Sequence, residues 1–333
     1  MAQHSALIER RMHLPEARGA LSAHVIQSLR ASVHPVEDHP AITGDPLVGD
    51  DFQLALYLCY ELCYTAIDGV DPAWEWEPSL LEFRRRLEER FENELLTAVP
   101  RTDLATGIAE TLKSLLEQDS GGSLSSYLEQ QPSLERFKEF VIHRSAYQLK
   151  EADPHSWVIP RLSGRAKAAL IEIQSDEYGG GDADAMHSVL FRNTMTSLEL
   201  DDRYGAYIGR LPGVTLAATN LMSLFGLHRR WRGALVGHLA LFEMSSTEPN
   251  RRYGNALRRL GYGRTATLFY DEHVEADAVH ESIAAHDLAG ALGTDEPSVA
   301  PDIIFGARCL LHLEELWASH TLSSWEDGRS SLL

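Results

Sequence analysis

Apolar residues recur at helical spacing along most of this chain. Short segments with glycine, proline or aspartate separate the periodic runs, and no convincing strand-like alternation is present. The spacing predicts helices over about 51–66, 78–96, 102–117, 133–152, 164–178, 182–198, 211–225, 229–245, 253–260, 266–289 and 301–320, and residues 22–31 could form a further one. We therefore expect an all-α bundle of roughly seven to eleven helices.

The pattern also divides the chain into three parts. Residues 1–46 are poorly patterned and proline-rich, which predicts a partly ordered lead-in. We expect residues 47–130 to form an N-terminal helical extension. In this interpretation the extension packs on a core domain formed by residues 131–333.

Composition excludes some partners. The 333 residues are 44% hydrophobic, which suits a sizeable core, and the formal net charge of −19 argues against nucleic acid and anionic membranes as partners. No apolar run approaches the roughly 18–20 residues of a membrane span. The N-terminus lacks a basic segment followed by an apolar one, so we expect no signal peptide and a cytoplasmic protein. Three cysteines do not make a disulfide framework.

One predicted helix carries three side chains that can bind a metal. His273, Asp277 and His280 fall within about 60° of one another on a helical wheel. Two imidazoles and a carboxylate suit iron, with manganese or zinc as alternatives. A solvated helix face rich in acids would give the same spacing.

Glu243 follows a nearly uncharged run, where an acid needs a partner if it is buried. Glu177 and His187 flank the triplet Gly179–Gly181, and an uninterrupted helix would place them on different faces. If the glycines loosen the chain between them, both side chains could turn inward. In each case a surface acid is the alternative.

Further pairs have suggestive spacing without being specific. Glu151 and His155 lie where a helix ends at Pro154. Glu139 and His143 share a helix face. Asp184-x2-His187 and Asp277-x2-His280 match the acid-x-x-His spacing of ferritin-like bundles.

Taken in chain order, Glu177, His187, Glu243, His273, Asp277 and His280 resemble the ligands of haem-oxygenase-like diiron oxidases and oxygenases, a group of iron-containing redox enzymes. The resemblance covers about residues 130–320. Within that range it includes the segments 147–155 and 176–181. It implies a haem-oxygenase-like helical bundle, two Fe(II) ions and O2 as cosubstrate. It also implies that Glu243 bridges the ions, and that Glu151 matches an additional carboxylate ligand of N-oxygenating members.

The function implied is N-oxygenation of an amine-bearing small molecule or amino acid, with Glu151 taking part in catalysis. A desaturase or C–C lyase acting on a fatty or amino acid is the alternative in the same fold. A non-catalytic helical scaffold is a third interpretation. A haem oxygenase would need one axial histidine and would leave the other residues unexplained. No flavin or nicotinamide motif is present, so an external electron donor is expected, and a homodimer is compatible with the sequence.

Overall fold

The computed structural model describes residues 12–101, 106–118 and 123–333, except for the side chains of residues 277 and 278. Its regular structure is helical within these ranges, apart from an isolated bridge between Met12 and Ile67. The all-α class is therefore confirmed. The helices of seven or more residues are α1 Ala20–Arg30, α2 Asp50–Glu61, α3 Pro78–Ala98, α4 Ile108–Gln118, α5 Leu124–Gln130, α6 Leu134–Gln148, α7 Gly164–Glu177, α8 His187–Ser197, α9 Gly213–Leu227, α10 Arg232–Arg259, α11 Arg264–Ser282 and α12 Ala300–Glu326.

Helix α10 is the central element of the bundle and packs along both α11 and α12. Its approach to α12 depends on glycine. A Cβ atom on Gly237 would overlap the carbonyl group of Ile303, and one on Gly306 would overlap that of Ala234. The small residues seen in the sequence before Glu243 therefore admit a neighbouring helix. This contact fixes the part of α10 that leads to Glu243.

The structure replaces two predicted helices, 229–245 and 253–260, by the single helix α10. Pro249 lies inside it and cannot donate a backbone hydrogen bond to Ser245. Packing against α11 and α12 maintains the helix through this defect. The hydroxyl groups of Ser245 and Ser246 each bond at 3.1 Å to a backbone carbonyl three residues earlier, those of Phe242 and Glu243. Local proline chemistry is thus outweighed by tertiary packing.

The predicted helix 266–289 also differs from the structure. Helix α11 ends at Ser282, and the chain continues as a π-helix over Ile283–Gly290. This wider turn packs on α7 and buries mainly small side chains such as Ala284 and Ala285. A π-helix inserts extra residues per turn, so side chains after His280 follow a different phase from those before it.

The described part of the lead-in is packed against the rest of the chain. The carboxylate of Asp51 accepts hydrogen bonds from the backbone N–H groups of Leu21 and Ser22, at 3.0 and 2.8 Å. Asp51, in the first turn of α2, therefore caps α1. Residues 1–11 and 102–105, the latter at the start of the predicted helix 102–117, lie outside the described residues. No helix in the described ranges is long and apolar enough to cross a membrane.

Candidate metal centre

A glycine-rich reversal brings Glu177 and His187 together. Glu177 is the last residue of α7 and His187 the first of α8, and the three glycines between them have φ of 70°, 60° and 95°. This left-handed region is one that glycine enters without steric cost. A Cβ on Gly179 would also lie only 2.7 Å from the backbone of Ala185 and Met186. As a result, His187 Nδ1 lies 2.9 Å from Glu177 Oε2.

The contact between Glu177 and His187 belongs to a first group of four buried side chains. This group consists of Glu151, Glu177, His187 and His273, each of which offers a ligand atom within 4.8 Å of the others. His273 Nε2 lies 3.6 Å from Glu151 Oε1. The other ring nitrogen, Nδ1, lies 2.7 Å from the carbonyl oxygen of Phe269, to which it donates. That bond leaves the lone pair of Nε2 directed at the group.

A second group shares one member with the first. Glu177, Glu243 and His280 offer ligand atoms that also lie within 4.8 Å of one another. His280 Nδ1 lies 3.4 Å from Glu243 Oε2. Its Nε2 donates to Asp176 Oδ2 at 3.0 Å, so a carboxylate outside the group orients the imidazole. Sequence reasoning did not assign Asp176 a role, and its one signal was its place beside Glu177.

The other predicted residues are placed less centrally. Asp277 lies in α11 between His273 and His280, but its side chain is outside the described residues. Neither group includes His155 or Asp184 among the described side chains. Asp184 is exposed in the loop before α8.

Glu151 is held in place from three sides. It follows α6 in a turn that ends at Ala152, whose φ of 75° and ψ of −32° cost a non-glycine residue about 1–2 kcal/mol. The side-chain amide of Gln174 donates to the carbonyl oxygen of Ala152 at 2.9 Å. The preceding residue, Lys150, forms a buried ion pair with Glu61 of α2. The N-terminal part of the chain therefore fixes the backbone beside Glu151.

The electrostatics of the groups depend on mutual contact. Burial raises the pKa of Glu151, and the adjacent His273 only partly offsets this. Burial also opposes charge on Glu177, but the combined attraction of His187, His273 and His280 outweighs it and lowers the Glu177 pKa to about 2. For His280, burial is outweighed by the carboxylates of Glu243, Asp176 and Glu177 together, which raise the His280 pKa to about 9. Three carboxylates, those of Glu151, Glu177 and Glu243, are thus buried. An isolated charge in such a place would be costly.

Glu151 Oε2 is buried and has no hydrogen-bond partner among the described residues. Glu177 Oε2, His187 Nδ1 and His280 Nδ1 are also buried, and their contacts are ion pairs with one another or with Glu243. Carboxylate oxygens and imidazole nitrogens form the mixed donor set that suits iron, manganese or zinc. Carboxylates contributed by several helices are the usual ligands of paired irons in helical bundles. The donors therefore fit a pair of metal ions that share Glu177.

Two spaces reach these groups. A small pocket of about 280 Å³ is lined by Glu151, Glu177, Glu243 and His273, and we call it the metal pocket. A larger cleft of about 1500 Å³ also reaches Glu151 and His273. Its walls are rich in apolar side chains, among them Phe140, Phe242, Leu310, Leu311, Trp317 and Leu322. A substrate in the cleft would meet the first group before the second.

Comparison with known proteins agrees with these observations. The family described as iron-containing redox enzymes matches residues 138–315, a range that contains all seven predicted ligands. This match confirms the resemblance drawn from the sequence. Nitrosourea synthase of Streptomyces achromogenes subsp. streptozoticus is 26% identical over 188 residues. The similar region covers 55% of this chain and 40% of that protein, so this chain spans less than half of the relative's length.

Proposed function

Since the chain belongs to the family of iron-containing redox enzymes, we propose that it is a non-haem diiron, O2-activating enzyme that N-oxygenates an amine-bearing small molecule or amino acid. Two Fe(II) ions would be held by Glu151, Glu177, Glu243 and three histidines, His187, His273 and His280. Asp277 completes the proposed ligand set. The observation that carries the proposal is the pair of overlapping buried groups.

The overlap changes one detail of what the resemblance implied. Glu177 belongs to both groups, whereas Glu243 belongs only to the second. The geometry thus favours Glu177 over Glu243 as the carboxylate shared by the ions. Glu177 can reach both because it ends α7 at the glycine reversal.

Bound iron would supply the redox chemistry that activates O2. In the balanced reaction, an amine R–NH2, O2, two electrons and two protons give the hydroxylamine R–NHOH and water. An N–O bond forms, the O–O bond breaks, nitrogen is oxidised, and an external reductant supplies the electrons. The chain's own task is to hold the ligands, admit the amine through the cleft and exclude bulk water from the metal pocket.

Two observations support N-oxygenation. Glu151 places an additional carboxylate in the first group, next to His273 and at the inner end of the cleft. The name of the relative, nitrosourea synthase, also points to a product with a nitrogen–oxygen bond. The apolar part of the cleft wall supports a second candidate, a desaturase or C–C lyase acting on a fatty or amino acid. The two candidates differ in whether an oxygen atom enters the product.

The test is stoichiometric anaerobic addition of Fe(II), followed by O2. Absorbance and Mössbauer spectroscopy would follow oxidation of the iron, and mass spectrometry with 18O2 and a panel of amines would follow the product. We expect rapid Fe(III) formation and one labelled oxygen on nitrogen. Slow iron oxidation at the rate of iron in buffer alone would contradict the proposal.

Replacing Glu151 distinguishes the two candidates. We expect Glu151→Ala to retain the helical circular dichroism spectrum and to lose the N-oxygenated product. The matched control is Glu172→Ala, which removes an exposed carboxylate from α7. If Glu151→Ala has the wild-type oxygen uptake and product profile, the preference for N-oxygenation loses its main support.

A further inference from the structure

A chain of hydrogen bonds runs inward from Glu139, a half-buried residue of α6. Glu139 Oε2 accepts from the hydroxyl group of Ser331 at 2.7 Å. Ser331 Oγ lies 3.0 Å from His143 Nε2, and His143 Nδ1 lies 2.7 Å from Thr215 Oγ1. With Glu139 ionised, one consistent arrangement has Thr215 donating to His143, His143 to Ser331, and Ser331 to Glu139. Glu139 and His143 are the face-sharing pair of the sequence, and neither belongs to the metal groups.

The inner end of this chain reaches a second cavity. This inner cavity is lined by His143, Thr215 and His238, and about 30 Å³ of it is open to the centres of water molecules. That is room for about two waters, each of which needs roughly 10–15 Å³ and two to four polar partners. Arg144 and Glu314 line both the inner cavity and the cleft. They are joined by two hydrogen bonds of 2.8 and 2.7 Å, so an ion pair stands at the boundary.

On the far side of the inner cavity, two buried histidines form a pair. His238 Nδ1 lies 3.2 Å from His155 Nε2. His238 lines the inner cavity, and His155 lines the metal pocket beside Glu151 and Glu177. The remaining nitrogen of His155, Nδ1, is buried and has no hydrogen-bond partner among the described residues. A purely structural pair would be expected to satisfy that atom, because leaving it unsatisfied costs about 1–3 kcal/mol.

We propose that these residues form a proton path from the surface to the metal pocket, bridged by water in the inner cavity. The order is Glu139, Ser331, His143, Thr215, cavity water, His238 and His155. The role rests on the proposed function, since O2 reduction consumes two protons in the metal pocket. It assigns a use to Glu139, His143 and His155, which the metal groups leave unexplained.

Each step of the path is a balanced proton transfer. One N–H or O–H bond forms as another breaks, and no electrons change hands. A neutral imidazole accepts a proton on one nitrogen and releases one from the other, so the His155–His238 pair passes a proton by exchanging tautomers. Rotation of the Ser331 and Thr215 hydroxyl groups, together with return of each imidazole to its starting tautomer, restores the starting direction. Burial lowers the pKa of both His143 and His238 to about 3, which keeps these rings neutral.

Helix α9 offers a matched pair of variants. Thr215 belongs to the path, whereas Thr219 lies one turn later and lines the same inner cavity. Thr215→Val and Thr219→Val remove the same hydroxyl group and keep the same shape. Only the first interrupts the bonds to His143. Any effect of cavity polarity or stability should therefore appear in both variants, and any effect of the path in the first alone.

The first measurement needs no metal. Histidine ring nitrogens labelled with 15N report, by NMR, how fast the hydrogen shared by His155 and His238 exchanges with deuterated solvent. We expect Thr215→Val to slow this exchange roughly tenfold or more, and Thr219→Val to leave it near the wild-type rate. His143→Gln serves as a second interruption if Thr215→Val folds poorly. Equal exchange rates in wild type and both path variants would overturn the path.

The second measurement uses the Fe(II)-loaded protein. We expect Thr215→Val to slow O2-dependent iron oxidation and to increase its solvent deuterium isotope effect, with the amount of bound iron unchanged. In His238→Ala, added imidazole should restore the rate in proportion to its concentration, which a structural role would not produce. If O2 does not oxidise the Fe(II) bound to the wild-type protein, the proposed function is refuted. The exchange rates of the metal-free protein would still decide whether the path exists. Normal iron oxidation with no rescue and no isotope effect in the variants would refute the path alone.

Discussion

The two groups of the candidate metal centre differ in where the chain supplies their side chains. In the first group, Glu151, Glu177 and His187 stand at or just beyond the ends of helices. In the second group, Glu243 and His280 lie within the long helices α10 and α11. The first group is therefore built mainly by turns, and the second mainly by helix packing.

This difference shows that two kinds of sequence information specify one site. The first group depends on backbone conformations with a positive φ, such as those of Gly179 and Ala152. A residue that moved either position to a negative φ would displace the neighbouring ligands. The second depends on close helix contacts such as that of Gly237 with α12. Glu177 joins them, so changes at that residue should affect both groups and changes elsewhere only one.

The largest effect is expected from Glu177→Ala. Removing the shared carboxylate should reduce bound iron from two ions per chain to fewer than one, because each group loses a ligand. Anaerobic equilibrium dialysis with Fe(II) measures the change. Glu172→Ala, an exposed change on the same helix, should retain both ions. If Glu177→Ala keeps one tightly bound ion, the groups do not share this ligand.

A smaller effect, confined to the first group, is expected from Gly179→Ala. The new Cβ would meet the backbone of Ala185 and Met186 at 2.7 Å and move His187 away from Glu177. We expect loss of one ion and retention of the other, measured by the same dialysis. Gly180→Ala is the matched control, because Gly180 also has a positive φ but open space around it. Equal iron loss in both variants would mean that backbone conformation, and not the close contact, controls the first group.

The smallest effect is expected from Asp176→Ala, which acts on the second group alone. Asp176 orients His280, and removal of such an outer partner typically weakens metal binding by about 10–100-fold. Calorimetric titration should show one weakened site and one unchanged site. Asp182→Ala, in the exposed loop, is the control. Weakening of both sites would contradict the assignment of Asp176 to the second group.

Much of the helical architecture could be predicted from apolar spacing, since an amphipathic helix carries its periodicity in the sequence. Even the reversal at Gly179 was suggested, because three glycines are unfavourable within a helix. The continuity of α10 through Pro249 could not be predicted from the sequence, since that defect is tolerated only through packing with α11 and α12. The π-helix after His280 likewise has no signature in the periodicity.

The candidate site shows the same division. Glu177, His187, Glu243, His273 and His280 were named from the sequence, and the structure brings their ligand atoms into two overlapping groups. The resemblance implied that Glu243 bridges the ions, whereas Glu177 is the residue common to both groups, and this depends on where α7 ends. Asp176 was missed because an exposed acid beside a ligand resembles any surface acid.

The central claim is that this chain holds two iron ions in adjacent groups joined by Glu177. The most direct measurement is Mössbauer spectroscopy of the 57Fe(II)-loaded protein, combined with a count of iron per chain. The account predicts two bound ions in distinct environments that are magnetically coupled once oxidised. A single bound ion, or two ions without coupling, would contradict it.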